Sequence, residues 1–87
     1  MKKIYKYALP IDDYLTIPLP QGAEILKVDM QNNVPWMWAL VDPEKPPEMR
    51  NFRLVGTGHP IKEENLKFID TFQMHEGSLV FHLFEYT

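Results

Sequence analysis

Apolar and polar residues alternate with a period of two along much of this chain, and that period predicts β-strands with one face turned inward. The signal is sharpest between Glu24 and Asp42, where EILKVDM (24–30) and VPWMWALVD (34–42) read as two strands of a hairpin separated by Gln31-Asn32-Asn33. Two registers fit. A two-residue Asn32-Asn33 loop places Trp36 and Trp38 on the face of Asp29 and Lys27. A three-residue loop with Asn33 left-handed pairs Met30 with Val34, Val28 with Trp36 and Leu26 with Trp38, which gathers apolar side chains on one face. The three-residue loop is the expectation.

A second hairpin follows from Leu66–His75 and Leu79–Tyr86, with a two-residue turn at Glu76-Gly77. Its register sets Met74 against Leu79, Phe72 against Phe81 and Asp70 against Leu83. One face is then Phe68, Phe72, Met74, Leu79, Phe81 and Leu83, a core set. The other carries Ile69, Thr71, Gln73, His75, Val80, His82, Phe84 and Tyr86, too apolar for water alone. That mixed face is expected to pack against a second sheet or a second subunit in preference to a ligand.

Between the hairpins lies RNFRLVGTGHPI (50–61), a strand that stops in two glycines, a histidine and a proline. Phe52 and Leu54 alternate with Asn51, Arg53 and Val55. Gly56 and Gly58 allow backbone angles or close approaches that a side chain forbids, and Pro60 bars ladder pairing. Upstream, Ile4–Leu9 and Tyr14–Leu19 read as short edge-like strands, the second confined by Pro18 and Pro20. Pro43–Met49 is a proline-rich connection, and Lys62–Asn65 has room for one helical turn. The fold class is therefore all-β, a small antiparallel β-sandwich or barrel with at most one helical turn.

Composition narrows the function classes. Eighty-seven residues are read as one domain, 1–87, with a modest core. The absence of cysteine excludes zinc ribbons and disulfide scaffolds. A net charge of −3 argues against binding a DNA or RNA duplex through its phosphates. Met-Lys-Lys at the start is not followed by an apolar run, so the expectation is a cytoplasmic protein with no membrane span. Thirteen per cent aromatic residues suit half-buried strands and a homo-oligomer that completes its core with a second copy.

Candidate chemistry is thin. His59, His75 and His82 form no HxH or HxxxH pair, so no metal site is expected. Ser78 lies in a hairpin turn without a nucleophile elbow, and the pairs Asp12-Asp13 and Glu63-Glu64 read as solvated turn residues, so no catalytic set emerges. GTGHP lacks the GKS/T ending of a phosphate loop. It is either a reversing turn or a nest of backbone amides for an anion. The candidate ligand set is Arg50, Arg53, Gly56, Thr57, Gly58 and His59, with guanidinium forks for phosphate. Trp36 and Trp38 are added as rings that either pack in the core or stack on a base.

The motifs WALVDP (38–43), GTGHPI (56–61) and LVFHLFE (79–85), with a tyrosine-rich start, resemble an uncharacterised family of short phage and prophage proteins over nearly the full length. By size and by its lack of catalytic groups the chain also resembles the viral sponge proteins that sequester cyclic nucleotide immune signals, a class from which no residues carry over. The resemblance implies a non-enzymatic phage accessory protein in the host cytoplasm, without cofactor. It would sequester a small anionic ligand, with a cyclic nucleotide as the first candidate, at a subunit interface. The alternative is a module that binds a host or phage protein through the mixed face of the last hairpin.

Overall fold

A computed structural model describes all of residues 1–87. Seven strands run in chain order: β1 Lys3–Ala8, β2 Tyr14–Pro20, β3 Glu24–Gln31, β4 Val34–Val41, β5 Pro47–Gly56, β6 Leu66–Met74 and β7 Leu79–Tyr86. They form two antiparallel sheets, one in the order β1-β4-β3 and one in the order β2-β5-β7-β6. The result is a small β-sandwich-like fold, as expected from the alternation. Its thinnest extent is 16 Å, which suits two layers packed about 10 Å apart.

The core is one cluster drawn from both sheets. Leu15, Ile17 and Leu19 come from β2, Val28 from β3, Met37, Ala39 and Val41 from β4, and Phe52, Leu54, Phe72 and Leu83 from β5, β6 and β7. β2 tolerates Pro18 and Pro20 because it is an edge strand and need not donate on both sides. The two sheets meet where β3 lies against β6. There the Asp70 carboxylate accepts from the Val28 amide at 2.9 Å and from the Lys27 ammonium at 3.2 Å. Both strands are irregular at this seam, with register shifts between Ile25 and Lys27 in β3 and between Phe68 and Asp70 in β6.

The first hairpin takes the other register. Gln31 pairs with Val34, Asp29 with Trp36 and Lys27 with Trp38. The loop is the two residues Asn32 and Asn33, both left-handed at φ 52° and 65°, the geometry whose twist matches that of paired strands. Pro35, Met37, Ala39 and Val41 therefore face the core, and Trp36 and Trp38 face outward, half-buried. Both faces of β4 are apolar, so gathering the tryptophans inward was not the only way to satisfy the pattern.

The second hairpin keeps its expected register: Met74 opposes Leu79, Phe72 opposes Phe81 and Asp70 opposes Leu83. Its connection is longer than two residues, with a 3-10 turn at His75–Gly77. The irregularity at Ile69 changes what lies below it. Phe68 swings to the outer face, opposite Phe84 and 55% exposed, while Ile69 turns in against the core. An extra residue reverses the alternation of a strand beyond it. Two further expectations give way. β5 begins at Pro47, inside the stretch read as a connection, and Lys62–Asn65 makes no helical turn.

Candidate functional site

β5 positions the site. Its residues alternate between faces, so Arg50 and Phe52 point between the sheets and Arg53 and Val55 point outward. At Gly56 the strand ends, and residues 57–65 run without regular structure to the start of β6. They fold back over the outer face. Val55 is only 4% exposed and yet stands outside the main core cluster.

The two glycines do different work. A Cβ at Gly56 would sit 3.2 Å from the His59 ring, so glycine permits that close approach. Gly58 takes φ +88°, a conformation that side chains rarely adopt. The Thr57 amide donates to the Val80 carbonyl and the His59 amide to the Gly56 carbonyl, each at 3.1 Å. Two of the amides an anion nest would need are thus already bonded within the protein.

Beneath this segment lies a hydrogen-bond network centred on His82. His82 Nε2 is 2.8 Å from Thr57 Oγ1, and Nδ1 is 2.9 Å from Thr71 Oγ1. The imidazole ties the glycine segment to β6. The order hydroxyl–imidazole–hydroxyl copies the outline of a hydrolase triad, but no carboxylate stands behind the ring to hold an imidazolium. The Thr57 hydroxyl also donates to the Val80 carbonyl at 3.4 Å. In the arrangement that satisfies all three bonds Nε2 carries the proton, so it is no base toward Thr57.

Arg53 is 8% exposed, and its Nε and Nη1 are engaged within the protein. Nε donates to Glu63, Nη1 donates to the carbonyls of Leu54 at 2.8 Å and Asp13 at 3.3 Å, and the Tyr14 ring lies 4.8 Å from the guanidinium carbon. The Tyr14 hydroxyl donates to the second Glu63 oxygen at 3.2 Å. Hydrogen bonding from Arg53 holds the Glu63 carboxyl below the ordinary carboxylate range. Beside this group opens a depression of about 380 Å³ lined by Asp13, Tyr14, Arg53, Val55, His59, Pro60 and Lys62.

Arg50 is elsewhere. It forks onto both Glu85 oxygens, at 2.6 and 2.7 Å, and donates to the Ala23 carbonyl. The hydrogen bond to Glu85 raises its already high pKa. Of the expected ligand set, the fold brings together Arg53, Gly56, Thr57, Gly58 and His59. Arg50 lies on the opposite face of β5, and Trp36 and Trp38 lie on the other sheet, where the Lys6 ammonium sits 4.2 Å over the Trp36 ring. Glu63 and Glu85, ten and thirty-five residues from their arginines, carried no local signal. Glu63 is an ion-pair partner, not the solvated turn residue its neighbourhood suggested.

The outer face of the larger sheet carries one more feature. Phe68, Phe84, Arg53 and Tyr14 stand opposite one another across β6, β7, β5 and β2. Phe68 meets Phe84 edge-on with centroids 5.6 Å apart, and Tyr86 meets Tyr14 likewise at 6.3 Å. Phe68 and Tyr14 are 55% and 53% exposed. No three His, Asp or Glu side chains stand close enough to hold a metal ion, and no helix is long and apolar enough to cross a membrane.

These features define a small antiparallel β-sandwich whose central strand carries two internally paired arginines and whose larger sheet shows an aromatic row. The chain belongs to the family described as Domain of unknown function (DUF7352), which it matches over residues 1–87. The expectation of an uncharacterised family is met at that level. Neither the curated proteins nor the solved structures contain a match.

Proposed function

We propose that this chain is a non-catalytic protein-interaction module that docks an apolar surface of a protein partner on the row formed by Phe68, Phe84 and Tyr14, with Tyr86 beside it. The observation that carries the reading is the register that lines these rings up with Arg53 across four strands, with Phe68 and Tyr14 more than half exposed. Exposed aromatic clusters around a buried arginine have the composition of binding hot spots. Arg53 and Glu63 give the row a rigid, already neutralised centre, so a partner can cover it without stranding a charge.

The test is affinity capture followed by reconstitution. A captured partner, purified and titrated against the purified chain, is expected to lose about tenfold or more in affinity for Phe68→Ser, since a central aromatic contact is worth about 2 kcal/mol. Equal affinity for wild type and Phe68→Ser overturns the reading.

A second reading keeps the small anionic ligand, with a cyclic nucleotide as its first candidate, in the depression beside His59 and Lys62. Its support is the juxtaposition of Lys62, His59 and Arg53 around that space. An anion there would have to compete with Glu63 for Arg53. Thermal stabilisation by a cyclic di- or trinucleotide, lost in Lys62→Ala, would place this reading ahead of protein docking.

A further inference from the structure

Four strands stand at the edges of the two sheets: β1, β3, β2 and β6. β3 and β6 lie against each other through Asp70, which leaves β1 and β2 open. β2 carries Pro18 and Pro20, which offer no N–H to an incoming strand. β1 has no proline between Lys3 and Ala8, is hydrogen-bonded to β4 on one side and to no strand on the other, and leaves Ile4 and Tyr5 60% and 40% exposed. It is the one edge able to lengthen a sheet.

We propose that a second copy of this chain adds to β1, antiparallel about a two-fold axis at Tyr5, and joins two three-stranded sheets into one of six. A two-fold partner is the simplest occupant because one edge then satisfies both copies. The register follows from the face alternation and the lysines. Ile4, Lys6 and Ala8 share the outer face with Leu40, Trp38 and Trp36, while Tyr5 and Tyr7 share the inner one with Ala39 and Met37. An axis between two residues would set an outer residue of one copy against an inner residue of the other, so the axis must pass through a residue.

Charge then chooses which residue. An axis at Lys3 or Lys6 places that lysine against itself, and an axis at Ile4 places Lys2 against Lys6. An axis at Tyr7 leaves half of the six-residue strand unpaired, and one at Ala8 leaves all but Ala8 unpaired. At Tyr5, Ile4 faces Lys6, Lys3 faces Tyr7, Lys2 faces Ala8 and Tyr5 faces its own copy. No lysine opposes a lysine. Lysines on an edge discourage indiscriminate pairing; here they also select one register.

The chain has no cysteine, so single cysteines report this register cleanly. Light scattering at high micromolar concentration is expected to return twice 10.3 kDa. Mild oxidation should convert Tyr5→Cys to a covalent dimer and leave Lys3→Cys uncrosslinked, because Lys3 faces Tyr7. The double variant Lys3→Cys/Tyr7→Cys should crosslink. Tyr5→Glu opposes two carboxylates and should weaken the dimer about tenfold or more, with an unchanged circular dichroism spectrum. A mass of one chain, crosslinking of Lys3→Cys as fast as Tyr5→Cys, or a Tyr5→Glu dimer of unchanged affinity overturns the proposal. The Phe68→Ser variant should dimerise normally, which separates this edge from the aromatic row.

Discussion

Arg50 and Arg53 stand three residues apart on the same strand and do different jobs. Arg50 points between the sheets, with a side chain 16% exposed, and braces β5 to β7 through Glu85 and to the β2–β3 connection through the Ala23 carbonyl. Arg53 points outward, with a side chain 10% exposed, and pins the segment after Gly56 through Glu63. An odd separation on a strand sends two side chains to opposite faces. Neither guanidinium can be buried unpaired, and each has recruited a carboxylate from wherever the fold brings one near. The difference teaches that an arginine in a strand near a glycine turn signals charge waiting to be satisfied, by the protein itself as readily as by a ligand.

Arg53→Ala removes the donor to the Leu54 and Asp13 carbonyls and strands Glu63 beside Tyr14, so it is expected to cost about 2–4 kcal/mol in urea unfolding. Arg50→Ala should cost less, about 1–3 kcal/mol, because it leaves one carbonyl, that of Ala23, without its donor where Arg53→Ala leaves two, while the partner carboxylates are equally exposed at 21% and 20%. A larger loss at Arg50 than at Arg53 would reverse the ranking.

Burial raises the Asp70 pKa, but hydrogen bonds from the Val28 and Thr71 amides and the Lys27 ammonium outweigh it and hold the carboxyl below its ordinary 3.8. A carboxyl depressed in the folded state stabilises fully above its unfolded pKa, and that stability is lost as pH falls through the folded value. Stability should therefore decline below about pH 4. Asp70→Asn should cost about 1 kcal/mol at neutral pH and flatten that decline. Glu63→Gln should likewise remove part of the acid sensitivity, on the outer face, whereas Asp70 acts at the seam between the sheets. An unchanged acid profile in both variants would show that neither carboxylate supplies the linkage.

Smaller effects separate the covered and open parts of the larger sheet. Thr57→Ala takes away one latch to His82 and should cost about 0.5–1 kcal/mol, with faster hydrogen exchange in residues 57–63. Phe68→Ser should change stability by no more than about 0.5 kcal/mol, because the ring is exposed and its loss strands nothing. A cost at Phe68 above that at Thr57 would mean the row is structural and would weaken the docking proposal.

Parts of this molecule were legible residue by residue. The register of β6 and β7 followed from the turn at Glu76-Gly77, which sets Met74 against Leu79 and keeps Phe72, Met74, Phe81 and Leu83 on one face. The glycine turn followed from Gly56 and Gly58 ahead of Pro60. β4 was ambiguous because both of its faces are apolar, so either loop length satisfied the pattern and the wrong one was favoured. Phe68 was misplaced because a bulge of one residue reverses a strand's faces without leaving a mark in composition. The arginines were read as forks for a ligand phosphate, and their pairing within the protein depends on carboxylates that local spacing cannot find.

By itself the sequence determined the alternation, the turns and the exclusion of cysteine chemistry, because these depend on a residue and its near neighbours. Tertiary structure alone decided that Glu63 lies on Arg53, Glu85 on Arg50, Thr57 on His82 and Asp70 across the sheet seam. Each of those contacts joins strands or segments whose spatial order the alternation leaves open. Side-chain periodicity states which way a residue points, and only the packing of the two sheets states what it meets there.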